Sequence, residues 1–372
     1  MKEKIKILHL IKSLGRGGAE TLLVHTLKQH NKDDFEFHYI YFLPWKDQMV
    51  AELKNAGGVV KNIPAKNNLS IILSAIKIIK YIRQNEISLV HCHLPWAGFV
   101  GRIIYRFTGI PVVYTEHNKQ ERYHRITRAI NKLTFNWQLK AISVSNDVGL
   151  SVKKNIKPRI PVQTIYNGVN VSHYKRNCNS GQAIKERLPI NKKGIVLGVI
   201  AVFRFQKRLK EWIDVFSVIQ KKFPVVTGVI IGDGILNEEI RAYIKLKQLE
   251  DKIFLPGLQA DVIPWLSAID IFVMSSEFEG LPVALLEAMS MECAVACTDA
   301  GGIAEVIRNN EDGFLVPVNE WHKLGEPLTY LLNNPAEIAV WGKKARERVE
   351  ESFSLQTMVS QTEEVYSSIL HN

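Results

Sequence analysis

The chain has 372 residues, of which 46% are hydrophobic and 23% are charged, and its formal net charge is +11 at pH 7. This length exceeds what one hydrophobic core usually serves, so we predict two domains. No apolar stretch reaches the roughly 20 residues that a membrane-crossing helix needs. The opening residues lack a secretory signal, which predicts a cytoplasmic protein.

The basic charge indicates an anionic partner, but the sign alone does not separate nucleic acid, membrane and phosphorylated substrate. We find no zinc-finger, ribonucleoprotein or helix-turn-helix signature, so we expect no nucleic-acid partner. The cysteines show no paired spacing, which predicts reduced thiols without a disulfide or a zinc site. They are Cys92, Cys178, Cys293 and Cys297.

In the first half of the chain, short apolar segments alternate with helical patterns, which predicts parallel strands joined by helices. The predicted strands are Ile5–Leu10, Phe35–Leu43, Val59–Ile63, Leu89–His93, Val112–Thr115, Ala141–Ser145 and Val162–Tyr166. A glycine-rich loop follows the first strand, where Gly17 and Gly18 would let the backbone approach a phosphate or a sugar. The loop lacks the G-x-G-x-x-G pattern, and a plain tight turn explains it equally well.

Two later strands of this half end in polar side chains. His91 and His93 share one face of their strand because successive side chains alternate, and Glu116-His117-Asn118 ends the next strand. Metal binding would need a third ligand at suitable spacing, which the sequence does not show, so we predict no metal. We expect His117 to face a cleft and to hydrogen-bond a substrate hydroxyl.

Basic residues dominate the segment from Lys119 to Arg159, where aromatic residues are interleaved with them. Such a basic, amphipathic segment is typical of proteins that dock on anionic lipid headgroups. A solvated helix face is an equally good interpretation. The basic residues are Arg122, Arg125, Arg128, Lys132, Lys140, Lys153, Lys154 and Lys157.

The strand pattern restarts in the second half of the chain, after a polar segment at Lys175–Gln182 that we predict to be a linker. The predicted strands are Ile195–Val202, Val225–Ile231, Ile253–Leu255, Ile271–Met274 and Ala294–Cys297. Apolar residues at helical spacing from Leu355 to Ile369 predict a terminal amphipathic helix. Two doubly wound α/β domains facing each other across a cleft would follow, with ligands at the carboxyl ends of the strands.

Chemically distinctive residues follow these strands. Arg204 and Lys207 come after the first strand of this half, where two cations could clamp a diphosphate. Gly232-Asp233-Gly234 and Gly257-Leu258 follow the next two strands. Glu279-Gly280-Leu281-Pro282-Val283 follows a fourth and opens a helix that carries Glu287, and a helix start of this kind favours a phosphate.

In family order, these motifs resemble the retaining, metal-independent glycosyltransferases of the GT-B fold, family 4, also called glycosyl transferases group 1. The resemblance covers almost the whole chain, and the block from Glu279 to Glu287 with Gly-Leu-Pro inside it is its most specific part. The matching motifs are Gly17-Gly18-Ala19-Glu20, His91-x-His93, Glu116-His117-Asn118, Tyr166-Asn167-Gly168-Val169, Arg204/Lys207, Gly232-Asp233-Gly234, Glu279-x7-Glu287 and Gly301-Gly302-Ile303.

The resemblance implies an N-terminal acceptor-binding domain over 1–175, a nucleotide-sugar-binding domain over 190–350 and a terminal helix over 351–372 that packs back on the first domain. It implies that His117, Glu279, Arg204 and Lys207 are catalytic. The donor-binding set that it implies comprises Gly17, Gly18, Arg204, Lys207, Gly232, Gly234, Leu258, Glu279, Gly280, Leu281, Pro282, Val283 and Glu287. The acceptor side would comprise His93, Glu116, His117 and Asn118. Because the loop after Arg204 is shorter than is usual in the family, either Lys207 or Arg208 could take the lysine's role.

The residues agree with a metal-independent reaction, since the chain has no Asp-x-Asp motif and the cations and helix start would meet the charge of the leaving group. We therefore expect transfer of a sugar from a nucleotide diphosphate sugar, with a UDP-sugar favoured, to a glycan or lipid-linked acceptor in surface polysaccharide biosynthesis. We expect retention of anomeric configuration, no cofactor, and a cytoplasmic enzyme that can associate with an anionic membrane surface. Two alternatives stay open: a nucleotide-sugar epimerase or hydrolase on the same fold, and a non-catalytic sugar-nucleotide-binding module.

Overall fold

The computed structural model describes residues 3–188 and 194–370. The chain divides into two compact units, which we call domain 1 (residues 1–168 with 355–372) and domain 2 (residues 169–354). The predicted start of the second domain, at residue 190, lies outside the described residues. Because the terminal helix belongs to domain 1, the chain passes through all of domain 2 before domain 1 is complete.

Domain 1 contains, within its described residues, a seven-stranded sheet in the order β3-β2-β1-β4-β5-β6-β7, and every neighbouring pair is parallel. The strands are β1 (Ile5–Ile11), β2 (Phe35–Tyr41), β3 (Val59–Asn62), β4 (Leu89–His93), β5 (Val112–Glu116), β6 (Lys140–Ser143) and β7 (Val162–Thr164). The helices are α1 (Gly18–Gln29), α2 (Val50–Asn55), α3 (Asn68–Leu73), α4 (Ala75–Asn85), α5 (Leu94–Thr108), α6 (Arg125–Thr134) and α7 (Asn146–Ile156).

Both faces of this sheet are covered, which explains why its central strands are nearly continuous apolar segments. One buried cluster contains Leu8, Val90 and Tyr114, and the other contains Ile7, Leu89 and Val113. Successive residues of β1, β4 and β5 thus enter opposite clusters, as alternation along a strand requires. The terminal helix, which becomes α16 (Leu355–Leu370) in chain order, packs on the second cluster through Val365 and Tyr366.

Domain 2 has a six-stranded sheet among its described residues, in the order β10-β9-β8-β11-β12-β13, again parallel throughout. The strands are β8 (Val196–Ile200), β9 (Thr227–Ile231), β10 (Ile253–Gly257), β11 (Ile271–Met274), β12 (Ala294–Thr298) and β13 (Phe314–Val316). The helices are α8 (Cys178–Lys185), α9 (Leu209–Lys222), α10 (Asn237–Leu246), α11 (Ile263–Ala268), α12 (Val283–Ser290), α13 (Ile303–Val306), α14 (Gly325–Asn333) and α15 (Pro335–Ser352).

Two parts of domain 2 differ from the sequence prediction. The predicted linker at Lys175–Gln182 is an ordered part of this domain, since α8 begins at Cys178 and the Arg176 guanidinium donates to the carbonyls of Ser267 and Ile269 at 2.9 and 2.7 Å. The linker prediction was therefore wrong. Hydrogen bonds from Arg176, which leave no apolar period in the sequence, hold this segment on domain 2. Strand β13 was missed because three residues are too few to show a period.

The predicted absence of disulfides agrees with the structure. The cysteines are all free, and Cys92, Cys293 and Cys297 are buried while Cys178 is exposed. Within residues 3–188 and 194–370, no helix combines the length and the apolar character that crossing a membrane requires.

Candidate active site

Two loops of domain 2 lie side by side at the carboxyl edge of its sheet. Strands β8 and β11 are neighbours, and the loops that follow them carry Arg204–Arg208 and Ser275–Pro282. The backbone N–H of Glu277 donates to the carbonyl of Gln206 at 2.8 Å, and the Ser275 hydroxyl donates to the carbonyl of Arg208 at 2.7 Å. These cross-links hold the two loops in a fixed relation.

An ion pair joins the two loops. Nζ of Lys207 lies 2.6 Å from Oε1 of Glu279, and the two side chains are only 18% and 10% exposed. The Ser276 hydroxyl donates to the same carboxylate oxygen at 2.6 Å. The structure thus brings together two of the residues that the sequence predicts to be catalytic, in a place where little water reaches them.

The neighbouring arginines have different environments. Arg204 is exposed, and its guanidinium has no hydrogen bond or ion pair with any residue that the structure describes. Arg208 has a left-handed backbone (φ 47°) and donates through Nη1 to the carbonyl of Val318 at 2.9 Å. Its Nε also lies 3.7 Å from Oε2 of Glu277. The guanidinium of Arg208 is therefore held by a backbone carbonyl and a different carboxylate, and Lys207 is the cation that faces Glu279.

The helix that follows the second loop begins at Val283, with Pro282 as its extended N-cap residue. Pro282 was predicted to open the helix and instead precedes it by one position. Gly280 and Leu281 are buried in the turn. The first N–H groups of α12 have no partner within the helix, so this end can receive an anion.

Glu287 lies one turn into α12 and is buried. The Tyr174 hydroxyl donates to its carboxylate at 2.8 Å. Burial raises the pKa of Glu287 to about 7, although the hydrogen bond from Tyr174 lowers it. A carboxyl group with such a pKa is about half ionised at neutral pH. Hydrogen bonds donated by ligand hydroxyls favour its ionised form, so ligand binding would deprotonate it.

Steric contacts explain the two glycines in the loop after β9, Gly232 and Gly234. A Cβ at Gly232 would lie 1.9 Å from the carbonyl oxygen of Ala201, and φ is +128°; a Cβ at Gly234 would lie 2.5 Å from the carbonyl oxygen of Phe203. Both positions need glycine because the loop after β9 packs directly on the exit of β8. Leu258, at the end of β10, is 51% exposed and so is open to a ligand.

In domain 1, histidines from neighbouring strands converge at the carboxyl edge of the sheet. His9 of β1 is paired in register with His91 of β4, and Nδ1 of His9 lies 2.9 Å from Nε2 of His93. Nδ1 of His93 lies 3.3 Å from Nε2 of His117. His9, His91 and His93 each offer a nitrogen within 4.8 Å of the others, so His9 supplies the third candidate ligand that the sequence did not show.

Both ring nitrogens of His91 and of His93, and Nδ1 of His9, make hydrogen bonds. His91 meets the Tyr366 hydroxyl at 2.6 Å through Nδ1 and the Thr115 hydroxyl at 2.7 Å through Nε2. Nδ1 of His9 and Nε2 of His93 point at each other in their hydrogen bond, whereas metal ligands must converge on the ion. The geometry therefore fits a hydrogen-bond network better than a metal centre.

Glu116 is fully buried and organises the loop that carries His117 and Asn118. Its carboxylate accepts from the Tyr114 hydroxyl at 2.9 Å, from the Tyr123 hydroxyl, from the Gln120 amide and from the N–H of Asn118 at 3.2 Å. Burial raises the pKa of Glu116, although these donors lower it. These four donors fix the carboxylate, so Glu116 positions the loop, and its acceptor-side role stays a prediction.

The glycine-rich loop of domain 1 leads into α1. Gly17 is the N-cap residue and has an extended backbone, and Gly18 is the first helical residue. A Cβ at Gly17 would meet only the flexible carboxylate end of Glu20, at 2.7 Å. The carboxylate of Glu20 thus lies beside this helix start, and both a ligand-approach role and a plain tight turn have this form.

Two family models account for most of the chain. The model described as Glycosyltransferase Family 4 matches residues 16–173, and the model described as Glycosyl transferases group 1 matches residues 181–348. The chain belongs to this family of glycosyltransferases. The first match ends at residue 173 and the second begins at residue 181, both close to the start of domain 2 at residue 169.

Relatives with curated names and solved structures agree with the family. The UDP-Gal:alpha-D-GlcNAc-diphosphoundecaprenol alpha-1,3-galactosyltransferase of Escherichia coli is 25% identical over 321 residues, covering 82% of both chains. The capsular polysaccharide biosynthesis glycosyltransferase CapH of Staphylococcus aureus is 24% identical over 323 residues, covering 81% of this chain and 83% of CapH. The crystal structure of Anabaena HepE with UDP and glucose has a TM-score of 0.87 and 21% identity, covering 98% of this chain and 100% of HepE. The predicted GT-B fold, with two Rossmann-like domains, is confirmed.

Sequence reasoning missed several residues of the glycosyltransferase's two sheet edges. Ser276 donates a hydrogen bond to Glu279, and Tyr174 donates one to Glu287. In domain 1, His9 hydrogen-bonds His93 and so joins the histidine network. His9 carried a usable signal, since a histidine inside an apolar strand is buried and must have a partner. Tyr174 carried none, because it lies more than a hundred positions before Glu287.

Proposed function

We propose that this glycosyltransferase moves a sugar from a UDP-sugar to a glycan or lipid-linked acceptor, with retention of anomeric configuration and without a metal ion. The observation that carries the proposal is the Lys207–Glu279 pair, 2.6 Å long and largely shielded from water, at the start of α12. These groups suit a sugar joined to a diphosphate. The lysine and the helix N-terminus would bind the negatively charged diphosphate, and the carboxylate would accept hydrogen bonds from the sugar hydroxyls.

The charge of the leaving nucleoside diphosphate would be met by three groups. Arg204 is exposed and free of ion pairs with described residues, Lys207 lies close to it in the same loop, and the N-terminus of α12 has no side-chain cap among the described residues. Fixed cations and N–H groups that meet developing charge lower a barrier without needing to reorganise. This supports departure of the diphosphate without a metal.

Uridine as the base is supported by two relatives. The Escherichia coli enzyme carries UDP-Gal in its name, and the HepE structure contains UDP. Glu287 would accept hydrogen bonds from the ribose hydroxyls in its ionised form.

Retention is supported by the way Glu279 is held. Its carboxylate oxygen is bonded to both Lys207 and Ser276, so it is placed to bind sugar hydroxyls rather than to attack the anomeric carbon. We infer attack by the acceptor on the face that the diphosphate leaves, with the departing phosphate taking the proton of the acceptor hydroxyl. The α-1,3 linkage in the name of the Escherichia coli relative is what retention would give from an α-linked donor.

A lipid-linked acceptor is supported by the surface of α6. Ile126 and Leu133, at positions i and i+7, are 63% and 77% exposed, and Asn131 on the opposite side is fully buried. Arg125, Arg128 and Lys132 flank the apolar residues and are exposed. Apolar residues beside cations are suited to the interface of an anionic membrane, where undecaprenol-linked acceptors such as that in the relative's name reside.

Calorimetric titration of the purified protein with UDP, GDP, ADP and nicotinamide dinucleotide, with EDTA present, tests the donor site. We expect UDP alone to bind, with the same affinity when magnesium replaces EDTA. The Lys207→Ala variant should bind UDP roughly tenfold or more weakly, because it loses a charge-assisted contact. Binding only of the dinucleotide, or only with magnesium, would contradict the proposal.

A transfer assay separates the proposal from its alternatives. UDP-sugar with a lipid-diphosphate-linked acceptor should give UDP and an extended glycan, while UDP-sugar alone should stay intact for the length of the assay. Rapid release of free or epimerised sugar without acceptor would instead identify a hydrolase or an epimerase.

A further inference from the structure

Three imidazoles of domain 1 form a continuous hydrogen-bonded chain from the sheet edge to the interior. His117 is half-buried at the edge, His93 is next, and His9 is at the inner end. The contacts are 3.3 Å from His117 Nε2 to His93 Nδ1 and 2.9 Å from His93 Nε2 to His9 Nδ1. The His9 and His93 rings are within 14° of parallel with centroids 5.2 Å apart, which fits a hydrogen bond along the ring planes.

The imidazole rings of His9, His93 and His117 are neutral at pH 7. Burial lowers the pKa of His9 and His93 well below the usual range, with His91 as the next cause in each, and burial lowers the pKa of His117 to about 4. A neutral imidazole has one N–H and one bare nitrogen. Each contact between two rings therefore holds one proton, and all contacts in the chain must point the same way.

The inner end decides that direction. Nε2 of His9 is buried and has no hydrogen-bond partner among the described residues. A buried N–H without a partner is rarer in proteins than a buried acceptor without one. The proton of His9 therefore belongs on Nδ1, from which it is donated to Nε2 of His93; His93 then donates from Nδ1 to Nε2 of His117.

We propose that His9 and His93 are positioning residues that fix the ring of His117 and hold it in the tautomer with the proton on Nδ1. His117 then presents an N–H donor, rather than a bare nitrogen, to a hydroxyl of the sugar. The proposal rests on the proposed function and on the sequence-based expectation that His117 hydrogen-bonds a substrate hydroxyl. It gives a role to His93, which contacts His117, and to His9, which contacts His93.

The tautomers can be measured without substrate. Long-range proton–nitrogen correlation spectra of the full chain, labelled with ¹⁵N in the histidine rings, distinguish protonated from bare nitrogens. Loss of signals in His117→Gln, His93→Phe and His9→Phe assigns the three rings. We expect Nδ1–H in all three rings of the unaltered protein. An Nε2–H tautomer of His117 would overturn the proposal, and so would a tightly bound metal ion that disappears in His9→Phe.

Two variants of β4 test positioning against structural support. In His93→Phe, His117 loses the donor to its Nε2, and we expect a mixture of its tautomers and a roughly tenfold lower kcat, with the KM for the donor little changed. His93→Asn places an amide N–H near the former Nδ1 and should restore part of kcat. The matched control is His91→Phe, which removes a buried histidine bonded to Thr115 and Tyr366 outside the chain of imidazoles.

The control should lower stability while leaving the tautomer of His117 unchanged. A His117 tautomer that is unchanged in His93→Phe would overturn the proposal. Because the spectra involve no donor or acceptor, they stand even when no UDP-sugar proves to be a substrate. Failure of the proposed function is thus separate from failure of the imidazole chain.

Discussion

At the scale of single residues, the lysine and the arginine that end the β8 loop differ in what they can do. Among the described residues, the Lys207 ammonium meets the carboxylate of Glu279 at 2.6 Å, whereas the Arg208 guanidinium donates to the carbonyl of Val318 and lies 3.7 Å from the carboxylate of Glu277. The hydrogen bond to the backbone ties Arg208 to the fold, whereas the charge of Lys207 can be shared with a ligand. Substitution at the two positions should therefore separate catalysis from stability.

We expect Lys207→Ala to lower kcat/KM by roughly a hundredfold or more, because the diphosphate loses a cation that meets its developing charge. Unfolding free energy should change by no more than about 2 kcal/mol. The matched control is Lys185→Ala, which breaks the equally enclosed pair with Asp270 at 2.8 Å elsewhere in domain 2. Steady-state kinetics and urea unfolding of both variants check this, and equal activity losses in the two would refute the assignment.

Glu287 makes stability depend on pH. Its pKa of about 7 in the folded protein is above the usual 4.5, so the folded state holds an extra proton between these values. The resulting stability is full below about pH 4.5 and is lost as the pH rises through 7. Glu287→Gln should therefore gain on the unaltered protein, by roughly 3 kcal/mol at most, between about pH 5 and about pH 8.

Urea unfolding across this pH range measures the gain. Glu238→Gln, at an exposed position of α10, controls for the general loss of one negative charge. Unfolding curves of Glu287→Gln that stay parallel to those of the unaltered protein at every pH would contradict the raised pKa.

At the scale of elements, the glycine after β9 is fixed by its neighbour. Gly232→Ala should destabilise domain 2 by about 3 kcal/mol or more, because the Cβ would meet a backbone oxygen at 1.9 Å that cannot move aside. Gly257→Ala is the matched control: its φ is also positive, at +76°, but its Cβ would meet nothing within 4 Å. That variant should lose only about 1–2 kcal/mol of backbone strain. Equal losses in urea unfolding would show that no clash is involved.

The exposed apolar residues of α6 give a second prediction for an element. Ile126→Ser with Leu133→Ser should weaken binding to vesicles of anionic lipid by roughly tenfold or more, since each side chain gains from leaving water. Binding by the unaltered protein should fall as salt rises. Leu246→Ser changes a similarly exposed leucine in domain 2 (74% exposed) and should have no effect. If the fraction of protein that co-sediments with vesicles does not depend on lipid charge, on salt or on the double substitution, α6 does not bind an anionic membrane.

Strands were the elements that the sequence predicted best. Ile271–Met274 is entirely buried, so its apolar character reports its place directly, and the charged and glycine residues after such strands could be located at the sheet edge. Contacts across long sequence separations could not be predicted: Tyr174 reaches Glu287 only once the fold exists. The four internal donors to Glu116 could not be predicted either, because an acidic residue at a strand end has the same pattern whether it faces solvent or buried donors.

At the scale of the whole molecule, the last helix completes the first domain. Tyr366 of α16 bonds His91, and Glu363 lies 2.8 Å from His30. Removing residues 355–372 should leave both histidines without these partners and expose the second apolar cluster of domain 1. Hydrogen exchange should then accelerate throughout β1 and β4, whereas Tyr366→Phe should accelerate it only slightly. Unchanged protection of these strands in the truncated chain would contradict the packing described here.

The stereochemistry of transfer distinguishes the proposed retaining reaction from an inverting one. The purified enzyme, a UDP-sugar of known anomeric configuration and a lipid-diphosphate-linked acceptor are combined in EDTA, and the first product is followed by proton NMR, in which the anomeric coupling constant identifies the new linkage. We predict a product with the donor's own configuration, formed at the same rate with and without magnesium. An inverted linkage, or product only when a divalent metal is supplied, would contradict the mechanism proposed for Arg204, Lys207 and Glu279.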